Sequence, residues 1–147
     1  MSGKIIAVNT SAHKGERKKN VGRANLLPGL GLEGDGHAGF AHRQVSLLAM
    51  ESIDKMRAKG LDVGPGDFAE NFTTQGMDLV SLPVGTRLKA GDTLLEVSQI
   101  GKECHTRCAI YYQAGDCVMP KEGIFAIVVN GGPVAVGDTL EVVKDNV

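Results

Sequence analysis

Residues 90–97 read AGDTLLEV, and residues 136–143 read VGDTLEVV. In each, a Gly-Asp pair interrupts the chain, and the residues that follow are Thr, Leu, Val and a single Glu. That is the pattern of a tight turn feeding a strand. Two such turns imply a barrel or a strongly curved sheet. The match is one of turn chemistry, and it is too short to establish a duplicated unit. Working outward, the apolar runs Lys4 to Asn9, Gln44 to Leu48, Thr93 to Ile100, Ile124 to Asn130 and Thr139 to Val143 all read as strands. Between them, Met50, Ile53 and Met56 recur at helical spacing among charged residues, and Gly60 follows as a stop. One amphipathic helix is expected over Ala49 to Lys59, with its methionines filling core. The glycines from Gly29 to Gly39 forbid a regular element there and permit tight turns.

Composition agrees with a mainly β chain. Its 147 residues are 42% hydrophobic and 22% charged, enough for one domain, residues 1–147, with its own core. Twenty glycines stand against four Phe, two Tyr and no Trp, so the core is built mostly from Val, Leu and Ile. A formal net charge of −1 gives no global drive towards nucleic acid or membrane, so anion recognition has to come from local charge. The amino-terminal MSGKIIAVNTSAHKG lacks a secretory apolar core, and nowhere do eighteen apolar residues run together, so a cytoplasmic location is expected. Three cysteines cannot all pair within one molecule, and cytosolic thiols are kept reduced.

Two segments concentrate chemistry. The polar loop 10–20, TSAHKGERKKN, carries His13, Lys14, Arg17, Lys18 and Lys19 against Glu16 alone, which suits either a solvated loop or an anion site. The segment 101–117 opens GKECHTRC, with Cys104, Cys108, His105, Lys102 and Arg107 in eight residues. Thiolate is the nucleophilic form of cysteine, and neighbouring cations favour it, so Cys104 is expected to ionise readily. Three other readings stand beside this one. Cys104, His105, Cys108 and Cys117 could hold zinc, although adjacent Cys and His side chains rarely converge on one ion. A Cys104–Cys108 disulfide could serve as a redox switch, although no C-x-x-C pattern is present. Free cysteines can also pack as small apolar residues, which suits Cys117 in GDCVMP better than Cys104.

The series GLEGDGHAG (31–39), HRQVSLL (42–48), GDFAENFTTQG (66–76), LPVGTRLKAGDTLLEVSQIGKECHTRC (82–108) and GDCVMPKEGIFAIVVNGGPVAVGD (115–138) resembles the MOSC family, named for the carboxy-terminal domain of molybdenum cofactor sulfurases. The resemblance runs from about Lys4 to Val143, and it is closest to stand-alone prokaryotic members. It implies a curved β-barrel with one or more short helices.

For Cys104, the resemblance implies either a persulfide that hands sulfur to a molybdenum or tungsten pterin cofactor, or a thiolate that ligates the metal. Lys102, His105 and Arg107 would hold that sulfur as thiolate. Lys14, Lys19, His37, Arg43, Gln44 and Asn71 are the implied cofactor-binding residues, with Arg43 offering a forked donor pair and Asn71 an amide that can donate and accept. Asp35 and Asn71 equally suit turn or cap stabilisation, and Glu70 could orient Arg43 or His37. The pyridoxal-phosphate desulfurase domain of eukaryotic sulfurases has no counterpart in this chain, so no covalent pyridoxal phosphate is expected. A separate cysteine desulfurase is the implied sulfur donor, and a molybdoenzyme or maturation protein the acceptor. The alternatives are a small molybdoenzyme that reduces N-hydroxylated compounds with Cys104 on the metal, and a non-catalytic cofactor-binding module.

Overall fold

A computed structural model describes residues 2–12, 17–36, 44–101 and 122–143. Eleven strands and one α-helix occur among them: β1 Ser2–Thr10, β2 Lys19–Asn20, β3 Arg23–Leu27, β4 Gly31–Leu32, β5 Val45–Ala49, α1 Met50–Ala58, β6 Phe72–Gln75, β7 Arg87–Ala90, β8 Thr93–Ile100, β9 Ile124–Asn130, β10 Gly132–Ala135 and β11 Thr139–Val142. A 3-10 turn spans Leu79–Ser81.

Seven strands close into a barrel in the order β1, β11, β7, β8, β9, β5, β6, and β6 pairs back to β1. Closure comes from Ser2, Gly3 and Lys4 of β1 pairing with Glu141, Leu140 and Thr139 of β11. Every pairing in the ring is antiparallel except β5 with β6. A parallel neighbour needs a crossover, and the chain from α1 through residue 71 supplies it. β10, β3 and β4 form a separate three-stranded sheet, and β2 extends the barrel beside β1.

The two Gly-Asp turns do what their composition predicts. Ala90 pairs with Thr93 across Gly91-Asp92, a two-residue hairpin whose first central residue has φ +59°, the conformation that primed turns demand. The second turn leads from β10 into β11, and the Asp138 carboxylate caps it by accepting from the Ala135 N–H at 2.9 Å. The two turns touch: a Cβ on Gly91 would lie 2.7 Å from Asp138 Oδ2.

Inside the barrel, alternation selects the core. Leu95 and Val97 of β8, Leu88 and Ala90 of β7, and Ile124, Ala126 and Val128 of β9 point inward together with Val45, Leu47, Phe72, Ile5 and Leu140. β5 is buried along its whole length because both of its faces are covered. Its odd-numbered residues fill the barrel, while Leu48 joins Ile53 and Met56 of α1, Val63, Phe68 and Phe125 in a second cluster. That cluster explains the helix: Ile53 and Met56 form its buried stripe, as their spacing predicts, and Met50 packs beside it.

One expectation is corrected here. The run from Gly29 to Gly39 does contain a regular element, because Gly31–Leu32 pairs with β3 and the Leu26–Leu32 pair is buried on both sides.

Candidate functional site

The barrel interior is apolar, and the polar side chains buried at its end gather around Asn71 and Asp35. Loop 64–71 brings Asn71 beside β5. The Ser46 N–H donates to Asn71 Oδ1 at 2.9 Å, Ser46 Oγ donates to the same oxygen at 3.1 Å, and the Asn71 N–H donates to the Ser46 carbonyl. The other end of the amide donates to the Asn9 carbonyl at 3.3 Å and to Asp35 Oδ2 at 3.0 Å. Asn71 is therefore fully buried with both ends of its amide engaged inside the protein.

Asp35 Oδ1 accepts from Lys18 Nζ at 2.7 Å and from the Ser11 N–H at 3.0 Å. Lys18 Nζ also donates to Ser11 Oγ at 3.1 Å. The Lys18 and Asp35 side chains are 2% and 0% exposed, so this is a buried ion pair. Burial pushes the Asp35 carboxyl upward, but the Lys18 hydrogen bond, the Ser11 N–H, the Asn71 amide and the Lys18 charge together outweigh it and hold the group below the usual aspartate range.

Glu70 has the opposite balance. It is fully buried, and its Oε2 accepts from Thr73 Oγ1 at 2.6 Å and from the Gly66 N–H at 3.1 Å. Among the described residues, neither its Oε1 nor Asn9 Oδ1 has a hydrogen-bond partner. Desolvation dominates these hydrogen bonds and raises the Glu70 pKa above the ordinary glutamate value, which favours the neutral acid.

The loop that carries Glu70 is tightly seated. Gly66 has φ +88°, and a Cβ there would lie 2.2 Å from the Lys18 carbonyl oxygen. Ala69 has φ +63°, uncommon for a residue with a Cβ, and its carbonyl lies 3.3 Å from Ser46 Oγ as an alternative acceptor to Asn71 Oδ1.

Of the residues expected to form the site, Lys19, Gln44 and Asn71 lie among those described. Lys19 is exposed on β2, and Arg17 is exposed nearby with a long 3.9 Å contact to Asp67. Gln44 is buried, and its Oε1 accepts from the Val128 N–H at 3.0 Å. Lys14, His37, Arg43, Lys102, Cys104, His105 and Arg107, along with Cys108 and Cys117, fall outside the described residues.

The points where the described chain leaves and re-enters those segments are fixed. Ser11 and Lys18 flank 13–16, Gly36 precedes 37–43, and the Gly36 N–H donates to the Ser11 carbonyl at 2.8 Å. The Gly101 N–H donates to the Gly123 carbonyl at 2.7 Å, which closes the neck of segment 102–121. Beyond that neck, Glu122 Oε1 accepts from Ser52 Oγ and Lys55 Nζ, both at 2.8 Å, on one wall of a cleft of about 380 Å³ between α1 and residues 76–80. No group of His, Cys, Asp and Glu among the described residues could hold a metal ion.

Sequence reasoning missed Lys18. Composition gave Arg17, Lys18 and Lys19 equal standing, yet the middle one turns inward to Asp35 while its neighbours stay exposed.

The MOSC domain sequence profile matches residues 33–141. The chain belongs to the MOSC domain family. Membership associates it with molybdenum-cofactor chemistry. No curated protein matches the chain significantly.

Among solved structures, the YUAD protein from Bacillus subtilis is similar at a TM-score of 0.80 and 22% identity, over 97% of this chain and 96% of that one. YiiM from Escherichia coli is similar at a TM-score of 0.68 and 26% identity, over 98% of this chain and 70% of that one. YiiM from Geobacillus stearothermophilus gives a TM-score of 0.73 at 18% identity, over 99% and 77%. These likenesses are likenesses of fold. No described helix is long and apolar enough to cross a membrane.

Proposed function

We propose that this MOSC domain is a sulfur carrier of molybdenum cofactor maturation, with Cys104 bearing the transferable sulfur and the basic segments binding the anionic pterin cofactor. The observation that carries the reading is the 2.8 Å hydrogen bond from Gly36 to Ser11, which roots the segment holding Lys14 and the segment holding His37 and Arg43 at one place. Exposed Arg17 and Lys19 add positive charge at that root, and a phosphate-bearing cofactor fits such a donor set. Lys14, Lys19, His37 and Arg43 hold the cofactor in this reading. Gln44 and Asn71 shape the floor beneath it through their bonds to Val128, Ser46 and Asp35.

The cofactor, when bound, supplies the molybdenum or tungsten centre that accepts sulfur. The protein's own part begins with Cys104. As a thiolate stabilised by Lys102, His105 and Arg107, its Sγ attacks the terminal sulfur of a persulfide on a cysteine desulfurase. A bond forms from Cys104 Sγ to that sulfur, the donor's S–S bond breaks, and the donor cysteine leaves as thiolate with no net oxidation. A molybdoenzyme or maturation protein takes the product onward.

Mass spectrometry after incubation with a cysteine desulfurase and cysteine tests this. The expected result is a gain of one sulfur on the peptide containing Cys104, abolished in Cys104→Ser. Gain on Cys117 alone overturns the assignment. Protein purified with stoichiometric molybdenum and turning over an N-hydroxylated base supports the molybdoenzyme reading instead.

A further inference from the structure

Asn9 on β1, Glu70 on loop 64–71 and Thr73 on β6 are fully buried, and the carrier reading uses none of them. Their hydrogen bonds form a directed chain. Asn9 Nδ2 donates to the Glu70 carbonyl at 3.2 Å and to Thr73 Oγ1 at 3.0 Å, and Thr73 Oγ1 donates to Glu70 Oε2 at 2.6 Å. Gly66 touches both ends of that chain: its N–H donates to Glu70 Oε2 at 3.1 Å, and a Cβ there would lie 3.4 Å from Asn9 Cγ. Two buried oxygens of this cluster are left over, Glu70 Oε1 and Asn9 Oδ1. In an ionised glutamate both would be acceptors, and no donor would serve either.

A neutral carboxylic acid supplies the missing donor, and at one atom only. Oε2 already accepts from Thr73 and Gly66, so the proton belongs on Oε1. Donation from there to Asn9 Oδ1 closes a ring of amide, hydroxyl and acid. Among the described residues no cation pairs with the carboxyl: burial raises its pKa, and only hydrogen bonds from Thr73 and from main-chain amides oppose that. The ionisable groups on the surrounding elements are turned elsewhere. Lys18 Nζ donates to Asp35 Oδ1 at 2.7 Å, Asp67 accepts from the Gly64 N–H at 2.8 Å and lies 3.9 Å from Arg17, and Lys19 is exposed. β5 and β6 carry no ionisable side chain, and Lys4 of β1 is exposed at the far end of its strand.

We infer that the Glu70 proton is a latch: Oε1–H donates to Asn9 Oδ1 and pins residues 66–70 to β1 and β6, and loss of the proton releases them. The segment needs a fastening, because Ala69 sits at φ +63°, which its own Cβ disfavours. Ionisation would set an under-compensated charge beside an amide oxygen, and swinging Glu70 out to water relieves both the repulsion and the desolvation. The folded chain holds this proton more tightly than the unfolded chain, so the latch is closed at low pH and opens as pH rises through the folded pKa. None of this involves the cofactor, so the test is independent of the carrier reading.

The full chain, isotope-labelled at its side-chain carboxyl and amide carbons, is titrated by NMR from about pH 4 to about pH 9. Glu70 Cδ and Asn9 Cγ are followed together. Hydrogen exchange is read at the Gly66 and Lys18 amides, which donate to Glu70 Oε2 and to the Gly66 carbonyl, after correction for the intrinsic rise of exchange with pH and with the β8 amides as reference. The expected result is a Glu70 signal that stays that of the neutral acid beyond the pH at which the exposed glutamates ionise. Asn9 Cγ moves with the same midpoint, and protection at both amides falls by about tenfold or more across it while β8 is unchanged. Glu70→Gln, whose Nε2 donates to Asn9 at every pH, removes the midpoint and keeps the protection. An ordinary glutamate midpoint overturns the inference, as does an Asn9 signal indifferent to Glu70. Protection that survives the midpoint, a proton retained until the whole protein unfolds, or a glutamine variant that loses protection as wild type does each overturn the latch. Should that variant not fold, the wild-type titration decides alone.

Discussion

Glu70 offers the sharpest test of how the polar end of the barrel is balanced. Its carboxyl is fully buried, Oε2 accepts twice, and Oε1 has no side-chain donor among the described residues, so ionisation would place an under-compensated charge away from solvent. The folded protein therefore holds the Glu70 proton more tightly than the unfolded chain does. By linkage, the contribution of such a group is fully present below the unfolded pKa and is lost as pH rises through the window up to the folded pKa.

Glu70→Gln keeps the acceptor for Thr73 and Gly66 and cannot ionise. At acid pH the two proteins should differ little. Above about pH 5 the glutamine variant should gain on wild type by up to about 1.4 kcal/mol per pH unit, levelling off once the native carboxyl ionises. Urea unfolding at about one-unit steps from about pH 5 to about pH 8 measures this, with the difference between the proteins cancelling every group they share. Stability curves that run parallel across that range would falsify the claim that desolvation governs this carboxyl, and a variant that loses ground with rising pH would reverse its sign.

Three further outcomes follow from the same contacts. Gly66→Ala forces a Cβ against the Lys18 carbonyl at 2.2 Å and a side chain into positive φ, so a loss of about 2 kcal/mol or more is expected in chemical denaturation, with Lys18 and Asp35 disturbed first. Leu95→Ala empties a fully buried position between β7 and β9, and a cost of about 2–5 kcal/mol should appear as a lower urea midpoint with an unchanged m-value. Arg87→Ala breaks a 3.4 Å contact to Glu96 that is half exposed, and its thermal unfolding should stay within about 0.5 kcal/mol of wild type.

The barrel was legible where turn chemistry and apolar alternation coincide. β8, β9 and β11 appear in the sequence because each carries Leu, Ile, Val or Phe just after a Gly or Gly-Asp turn, and α1 appears because Ile53 and Met56 repeat at its period. β6 was not legible: its FTTQ buries two threonines, and Thr73 is accommodated only because it donates to Glu70 while accepting from Asn9, a pairing sixty-four positions distant in sequence that no local pattern announces. β10 hides for a different reason, since GPVA carries a proline and pairs along one side only, with β3. Among the implied site residues, Asn71 and Gln44 are buried in the described chain, but the motifs could not rank adjacent cations. Lys18 is distinguished from Arg17 and Lys19 by the carboxylate it meets after the chain has folded, and that meeting is tertiary.

The cylinder is sealed by its first strand meeting its last described one, Ser2 against Glu141. During synthesis, β2 covers the Asn9–Thr10 end of one flank of β1 early and β6 later covers the other flank, but the Ser2–Lys4 end waits with its main-chain groups unpaired until nearly the whole described chain has left the ribosome. The nascent protein thus spends most of its birth as an open sheet, and a factor that shields a lone β-edge would find the barrel's own edge on this chain only at that stage.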